Sequence, residues 1–161
     1  MKLFALAAFL AASAVPMGRA QDVAFENASK PKTYLVYAAE PQTIAAGKRA
    51  VVELHFKVQD GFHVNSHTPK SELLIPTNLK LDAADGVKAA ALEYPAGVPY
   101  SFSFEPNEKL DVYQGAFIVK LPVMATRGEH VLTGTLRYQA CDHAACYPPK
   151  TLPVQVMFTA K

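Results

Sequence analysis

"RAVVELHFKV", Arg49–Val58, is the stretch whose reading decides the fold. Val52, Leu54 and Phe56 fall on one side of an extended chain, and Glu53, His55 and Lys57 on the other. Successive side chains of a strand point to opposite faces, so this period of two describes a strand with one face buried. The turn "QDG" (59–61) follows it, and then the strand-like "FHVNS" (62–66). "TYLVYAA" (33–39) precedes it as a strand. "LLIPTNLKL" (73–81) is strand-like with Pro76 inside it, which predicts an edge or a bulge. "VKAAALEY" (87–94) is ambiguous: alanine favours helix, but Gly86 and Pro95 leave room for a short element only. "VYQGAFIVKLPV" (112–123), "HVLTGTLRYQA" (130–140) and "TLPVQVMFTA" (151–160) read as further strands. Many short strands, frequent turn signals and no convincing helix predict an all-β protein, an antiparallel β-sandwich.

One segment does not fit the alternation. "PAGVPYSFSFEPNE" (95–108) holds three prolines and three aromatics with no clean period, and it reads as a long loop. Loops of that length are uncommon inside compact domains and are often functional.

The chain has 161 residues, enough for one domain. Its start reads as a secretory signal over 1–20. Lys2 opens it, residues 3–15 are apolar apart from Ser13, and Gly18 and Ala20 supply small residues before a cut after Ala20. The apolar run is shorter than the roughly 20 residues a membrane span needs. Residues 21–31 read as a flexible polar lead, and 32–161 as the folded domain. The formal charge of +2 comes from 16 basic and 14 acidic residues, and removing Lys2 and Arg19 with the signal leaves it at zero. No basic stripe is present, so nucleic acid is not expected as a partner. No membrane span is expected after signal removal, and nothing points beyond a monomer.

"YQACDHAACYPPK" (138–150) holds the only two cysteines. Strand-like "LRYQA" and "TLPVQV" flank it, so the pair sits at the end of a hairpin, where facing positions reach disulfide distance. Three roles compete. A staple across so short a loop contributes roughly 2–3 kcal/mol, and a core of this size does not depend on it. A loop this short is expected to be exposed, where thiols exchange. A metal clip would use Cys141, His143 and Cys146 with His63 or His67, but the spacing matches no zinc pattern and a fourth ligand must be assumed. A nucleophilic Cys141 needs an oriented base, and nothing identifies the third member of such a set.

A resemblance bears on the choice. "RYQACDHAACYPPKTLPVQV" (137–156) resembles the active-site hairpin of the N-terminal domain of the DsbD thiol–disulfide interchange family. The matching residues are Tyr138, Gln139, Cys141, Cys146, Tyr147, Pro148 and Pro149. "VQDGFHV" (58–64) and "DVYQGAFIVKLPV" (111–123) add weaker likeness, and the whole covers most of 33–158. The resemblance implies an immunoglobulin-like sandwich and a reversible Cys141–Cys146 disulfide without a cofactor or metal. It implies a thiol–disulfide oxidoreductase component of the periplasm. Such a domain takes electrons from a thioredoxin-like protein and passes them to periplasmic disulfide-bearing clients. It implies a cap loop over the cysteines, which places residues 95–108 there, with Phe102 and Phe104 either covering the sulfurs or packing in the core.

The sequence departs from the family pattern in three ways. The insert between the cysteines has four residues, one fewer than in the familiar form. Tyrosines of that form are replaced by His63 and Asn65. His63 is then either a titrating or cationic neighbour that lowers a thiol pKa, or a solvated turn residue. The membrane and thioredoxin-like domains do not follow in this sequence, so electron donors are expected to be separate chains. Asp142, His143 and Tyr147 complete the expected neighbourhood. The charge of Asp142 disfavours a Cys141 thiolate, which agrees with Cys146 attacking the client and Cys141 resolving. The competing expectation is an exported, non-catalytic binding or scaffold sandwich with a structural disulfide.

Overall fold

The computed structural model describes residues 33–102 and 106–161. The strands there run β1 (Leu35–Ala38), β2 (Gln42–Ile44), β3 (Arg49–Val58), β4 (His63–Asn65), β5 (Asn78–Leu81) and β6 (Val87–Ala89). They continue with β7 (Val98–Tyr100), β8 (Leu110–Tyr113), β9 (Ala116–Ala125), β10 (Gly128–Tyr138), β11 (Ala140–Cys141) and β12 (Lys150–Ala160). No helix occurs among the described residues.

The alternation of Arg49–Val58 is realised as read. Val52, Leu54, Phe56 and Val58 are buried. Val52, Leu54 and Phe56 face Leu121, Val119 and Phe117 across the β3–β9 register, in a sheet ordered β1-β3-β9-β6. A second sheet, β2-β12-β10-β5, contributes Leu132, Leu136, Val154, Val156 and Phe158 to the same apolar core. Two sheets sharing one core make the β-sandwich. A third sheet of shorter strands, β11-β4-β8-β7, carries Cys141, and Cys146 bridges to it. One pairing departs from the antiparallel expectation: β2 runs parallel to β12 over three residues, Gln42 facing Phe158.

Four segments fold otherwise than the sequence predicts. Residues 73–77 are not strand; β5 begins only at Asn78, beyond Pro76, and Leu73 projects into solvent. Proline has no N–H for a ladder, and this chain is instead tethered sideways. The Ile75 N–H donates to Gln139 Oε1 at 3.3 Å, and the Thr77 hydroxyl donates to the Asn65 carbonyl at 2.6 Å. The run 112–123 is broken at Gln114–Gly115, where Gly115 takes a positive φ of 59° and the chain passes from the small sheet into the large one. A residue without Cβ adopts that conformation at little cost. The run 130–140 changes sheets in the same way at Gln139, between β10 and β11. The long loop 95–108 also contains a strand, β7, paired to β8. The ambiguous 87–94 opens with the short strand β6.

Candidate functional site

The ladder between β10 and β12 has eleven facing pairs and ends at Tyr138 opposite Lys150. The cysteine loop projects from that end. Cys141 and Cys146 are joined by a disulfide, with their Cα atoms 3.9 Å apart. The loop folds on its own polar groups. Asp142 Oδ1 accepts the N–H groups of Ala144 at 2.8 Å and Ala145 at 2.9 Å. The other carboxylate oxygen accepts the Tyr147 hydroxyl. The Tyr147 N–H donates to the Ala140 carbonyl at 2.8 Å. These donors hold the Asp142 carboxyl down at about 2, with the Tyr147 hydroxyl as the largest cause. The same contact pushes the phenol of Tyr147 up to about 12. The Tyr147 ring stacks on Tyr34 at 5.0 Å. Asp142 is thus ionised and spends its charge on the loop's own donors.

The two cysteines are not equivalent. Cys141 is fully buried, whereas Cys146 is exposed. The expectation of an exposed loop therefore holds for one cysteine and fails for the other, because Cys141 belongs to β11 and is covered by its neighbours in the small sheet.

His63 departs from the cationic and the solvated-turn readings. It is neither cationic nor a solvated turn residue. It lies on β4, directly opposite Cys141, and only 1% of it is exposed. Burial pulls its pKa down to about 4, against the opposing charge of Asp142, so the ring is neutral near pH 7. The Tyr100 ring lies 4.0 Å from it and the Phe102 ring 5.9 Å, with Tyr100 and Phe102 edge to face at 5.5 Å. Phe102 is half-buried. Phe104 lies outside the described residues, as do residues 1–31, which the sequence reading assigns to a signal and a lead. Tyr100 escaped the sequence reading, although its place two residues before Phe102 puts both on one side of an extended segment.

Among the described residues, His63 Nε2 has no hydrogen-bond partner, and neither has Asn65 Oδ1. Such buried, unpaired groups cost about 1–3 kcal/mol each. Asn65 is completely buried, its amide donating to the Ile75 carbonyl at 3.0 Å and to Gln139 Oε1 at 3.2 Å. Gln139 in turn donates to the Tyr147 carbonyl at 3.2 Å. One side chain therefore ties β4, the 73–77 segment and the cysteine loop together. The motif contained Gln139, but only the fold reveals what it holds. His143 is exposed at the loop's tip. With Asp60, Phe62, His63, Tyr100 and Gln114 it lines a pocket of about 300 Å³. His67 is engaged elsewhere: its ring stacks flat on Tyr94 at 3.7 Å, and Nδ1 lies 3.0 Å from the Thr77 carbonyl.

The burial of His63 carries a pH prediction. A base whose pKa falls from 6.5 to about 4 on folding binds its proton more readily in the unfolded chain. Stability is therefore full above pH 6.5 and falls as pH drops from there through 4. Urea midpoints measured across that window should decline, and His63→Phe should flatten the decline. Equal slopes in the two proteins would show that other groups cause it.

The sequence and the fold are similar to those of known proteins. The profile of the family described as "Thiol:disulfide interchange protein DsbD, N-terminal" matches residues 32–157. Among solved structures, the chain is similar to the Neisseria meningitidis DsbD N-terminal domain in the reduced form. Identity is 20%, the TM-score 0.45, and coverage 72% of this chain and 86% of that one. It is also similar to a complex between the DsbD N-terminal and PilB N-terminal domains from the same organism. There identity is 18% and the TM-score 0.50, with 80% and 87% covered. A third likeness is to the N-terminal periplasmic domain of ScsB from Proteus mirabilis, at 9% identity and a TM-score of 0.50. It covers 76% of this chain but only 44% of that one. No curated protein matches the sequence. The likenesses to solved structures bear on the fold, an immunoglobulin-like sandwich. With the profile spanning β1 to β12, the chain belongs to the family of the DsbD N-terminal domain.

Proposed function

We propose that this protein carries out thiol–disulfide exchange in the periplasm, through a reversible Cys141–Cys146 disulfide. The observation that carries the reading is the asymmetry of the pair: Cys146 is an exposed residue and Cys141 a fully buried one. A partner thiolate attacks Cys146 Sγ, the Cys141–Cys146 bond breaks, and Cys141 leaves with the electron pair. The partner's second thiol then displaces Cys146 and closes the partner's own disulfide. The reduced domain next attacks a client disulfide with Cys146, and Cys141 resolves the mixed disulfide, so two electrons pass to the client. The electron donor is a thioredoxin-like protein. A DsbD N-terminal domain in complex with a PilB N-terminal domain supports docking of this kind. Residues 1–20 act as an export signal, 21–31 as a lead, and 32–161 as the exchange domain, working as a monomer. Tyr100 and Phe102 act as a lid that limits access from the His63 side.

Equilibration in thiol buffers, followed by alkylation and mass counting, tests the reading. The expected reduction potential lies above about −300 mV, the region of exchangeable disulfides. In the reduced protein Cys146 should alkylate far faster than Cys141. Tyr100→Ala should speed attack by small thiols several-fold. A potential below that limit, with no exchange in the folded state, would make the pair a staple and the protein a binding or scaffold sandwich.

A further inference from the structure

Three segments align at the small sheet's edge. Cys146 faces Cys141 across an antiparallel bridge, and Cys141 faces His63 across the β11–β4 register. Residues directly opposite each other in antiparallel strands project on the same side, with Cβ atoms about 4.5–5.5 Å apart. The row therefore reads outer sulfur, inner sulfur, imidazole. The imidazole is walled from water by Tyr100 and Phe102, and its Nε2 has no hydrogen-bond partner among the described residues. A buried ring nitrogen left unpaired is unusual, since buried polar groups are nearly always satisfied. Reducing the disulfide creates a new hydrogen-bonding group beside it, the Cys141 thiol.

We propose that His63 is the acid–base partner of Cys141, its unpartnered nitrogen taking the thiol proton during resolution and returning it when Cys141 is released. This rests on the exchange reading above. In the forward step the client is joined to Cys146 through a mixed disulfide. Cys141 passes its proton to His63 and its sulfur attacks Cys146 Sγ. The Cys141–Cys146 bond forms, the Cys146–client bond breaks, and the client sulfur leaves with the electron pair. The imidazolium then gives its proton to that thiolate or to water. In the reverse step the departing Cys141 thiolate is met by the same proton. A neutral imidazole suits the forward role, because only the neutral ring accepts. The groups facing it are few. The charge of Asp142, at the end of β11, favours the imidazolium once formed. Asp60 and His143 line the adjoining pocket, as does the uncharged Gln114, and the remaining walls are the rings of Tyr100 and Phe102.

The test uses the reduced protein and an aromatic disulfide reagent whose released thiolate is coloured. The reagent forms a mixed disulfide at exposed Cys146, and attack by Cys141 then releases a second equivalent of colour in an intramolecular step. In the native protein that second phase should be fast and nearly flat across neutral pH. In His63→Phe it should be at least about tenfold slower near neutrality. It should also rise about tenfold per pH unit, as expected when only free thiolate reacts. His63→Gln can hydrogen-bond but cannot carry a proton, and it should show the same steep profile. It also supplies the reading if the phenylalanine variant does not fold. Native-like rates and a flat profile in the folded variants would overturn the assignment while leaving exchange intact. Absence of the second phase in the native protein would instead sink the exchange reading itself.

Discussion

Replacing Cys141 and Cys146 together with serine should abolish electron transfer to client disulfides and leave the sandwich folded. A disulfide closing so short a loop stabilises by about 2 kcal/mol on the chain-entropy account. That is a minor part of the roughly 5–15 kcal/mol of an ordinary domain. The core does not pass through the loop: Leu54, Phe56, Leu136 and Tyr138 are buried by sheet packing. The loop also keeps its other fastenings, the Asp142 contacts to Ala144, Ala145 and Tyr147. The thermal midpoint should therefore drop by several degrees, with the unfolding transition still cooperative. Transfer should fall to the level of buffer alone, because no serine hydroxyl can carry the electron pair. The pair of measurements is a thermal melt and an insulin-type reduction assay coupled to a thioredoxin-like donor. Transfer surviving the double substitution would end the redox reading. A protein unfolded at room temperature would show the disulfide to be a structural necessity.

The largest loss of stability is expected at Phe56→Ala, about 3–5 kcal/mol. The ring is 2% exposed and lies between Tyr37 at 5.2 Å and Phe117 at 5.3 Å. Truncation removes its apolar area from the core and leaves a cavity that two flanking rings cannot fill without leaving their own contacts. The effect should also travel. Phe117 stacks on Tyr113 at 4.5 Å, and the Tyr113 hydroxyl donates to the Pro95 carbonyl at 3.0 Å while accepting the His67 N–H at 3.1 Å. This run of contacts joins the centre of the sandwich to the start of the loop that carries Tyr100 and Phe102. Urea unfolding should show the midpoint loss, and attack by a small thiol at the disulfide should quicken in the same variant. Phe56→Leu should lose much less on both scales. A loss below about 1 kcal/mol for the alanine would mean that the ring is not packed as described.

The legible part of this protein was the part governed by local period. In Arg49–Val58 each side chain's face follows from its parity, so the sandwich could be read from Val52, Leu54 and Phe56. The cysteine loop was legible through its residue types and its flanking strands. What escaped depended on contacts distant in sequence. Nothing local distinguishes a solvated His63 from a buried one: its burial comes from Cys141, far along the chain, and from Tyr100 in the loop. The parallel β2–β12 pairing joins opposite ends of the fold and leaves no mark on a three-residue strand. The breaks at Gly115 and Gln139 hide inside runs that stay apolar on alternate positions, since the strands on both sides of each break face apolar surroundings.

The pairing of Tyr138 with Lys150 has a consequence for how such proteins diverge. Both ends of the cysteine loop are set by the last rung of a long ladder, and the loop's interior is tied chiefly to itself and to β4. Adding or deleting a residue between the cysteines changes neither the register of β10 with β12 nor the inward faces they bury. The framework and the insert can therefore evolve at separate rates. The four-residue insert between the cysteines is then a local feature of the loop, held without disturbing the strands that carry it.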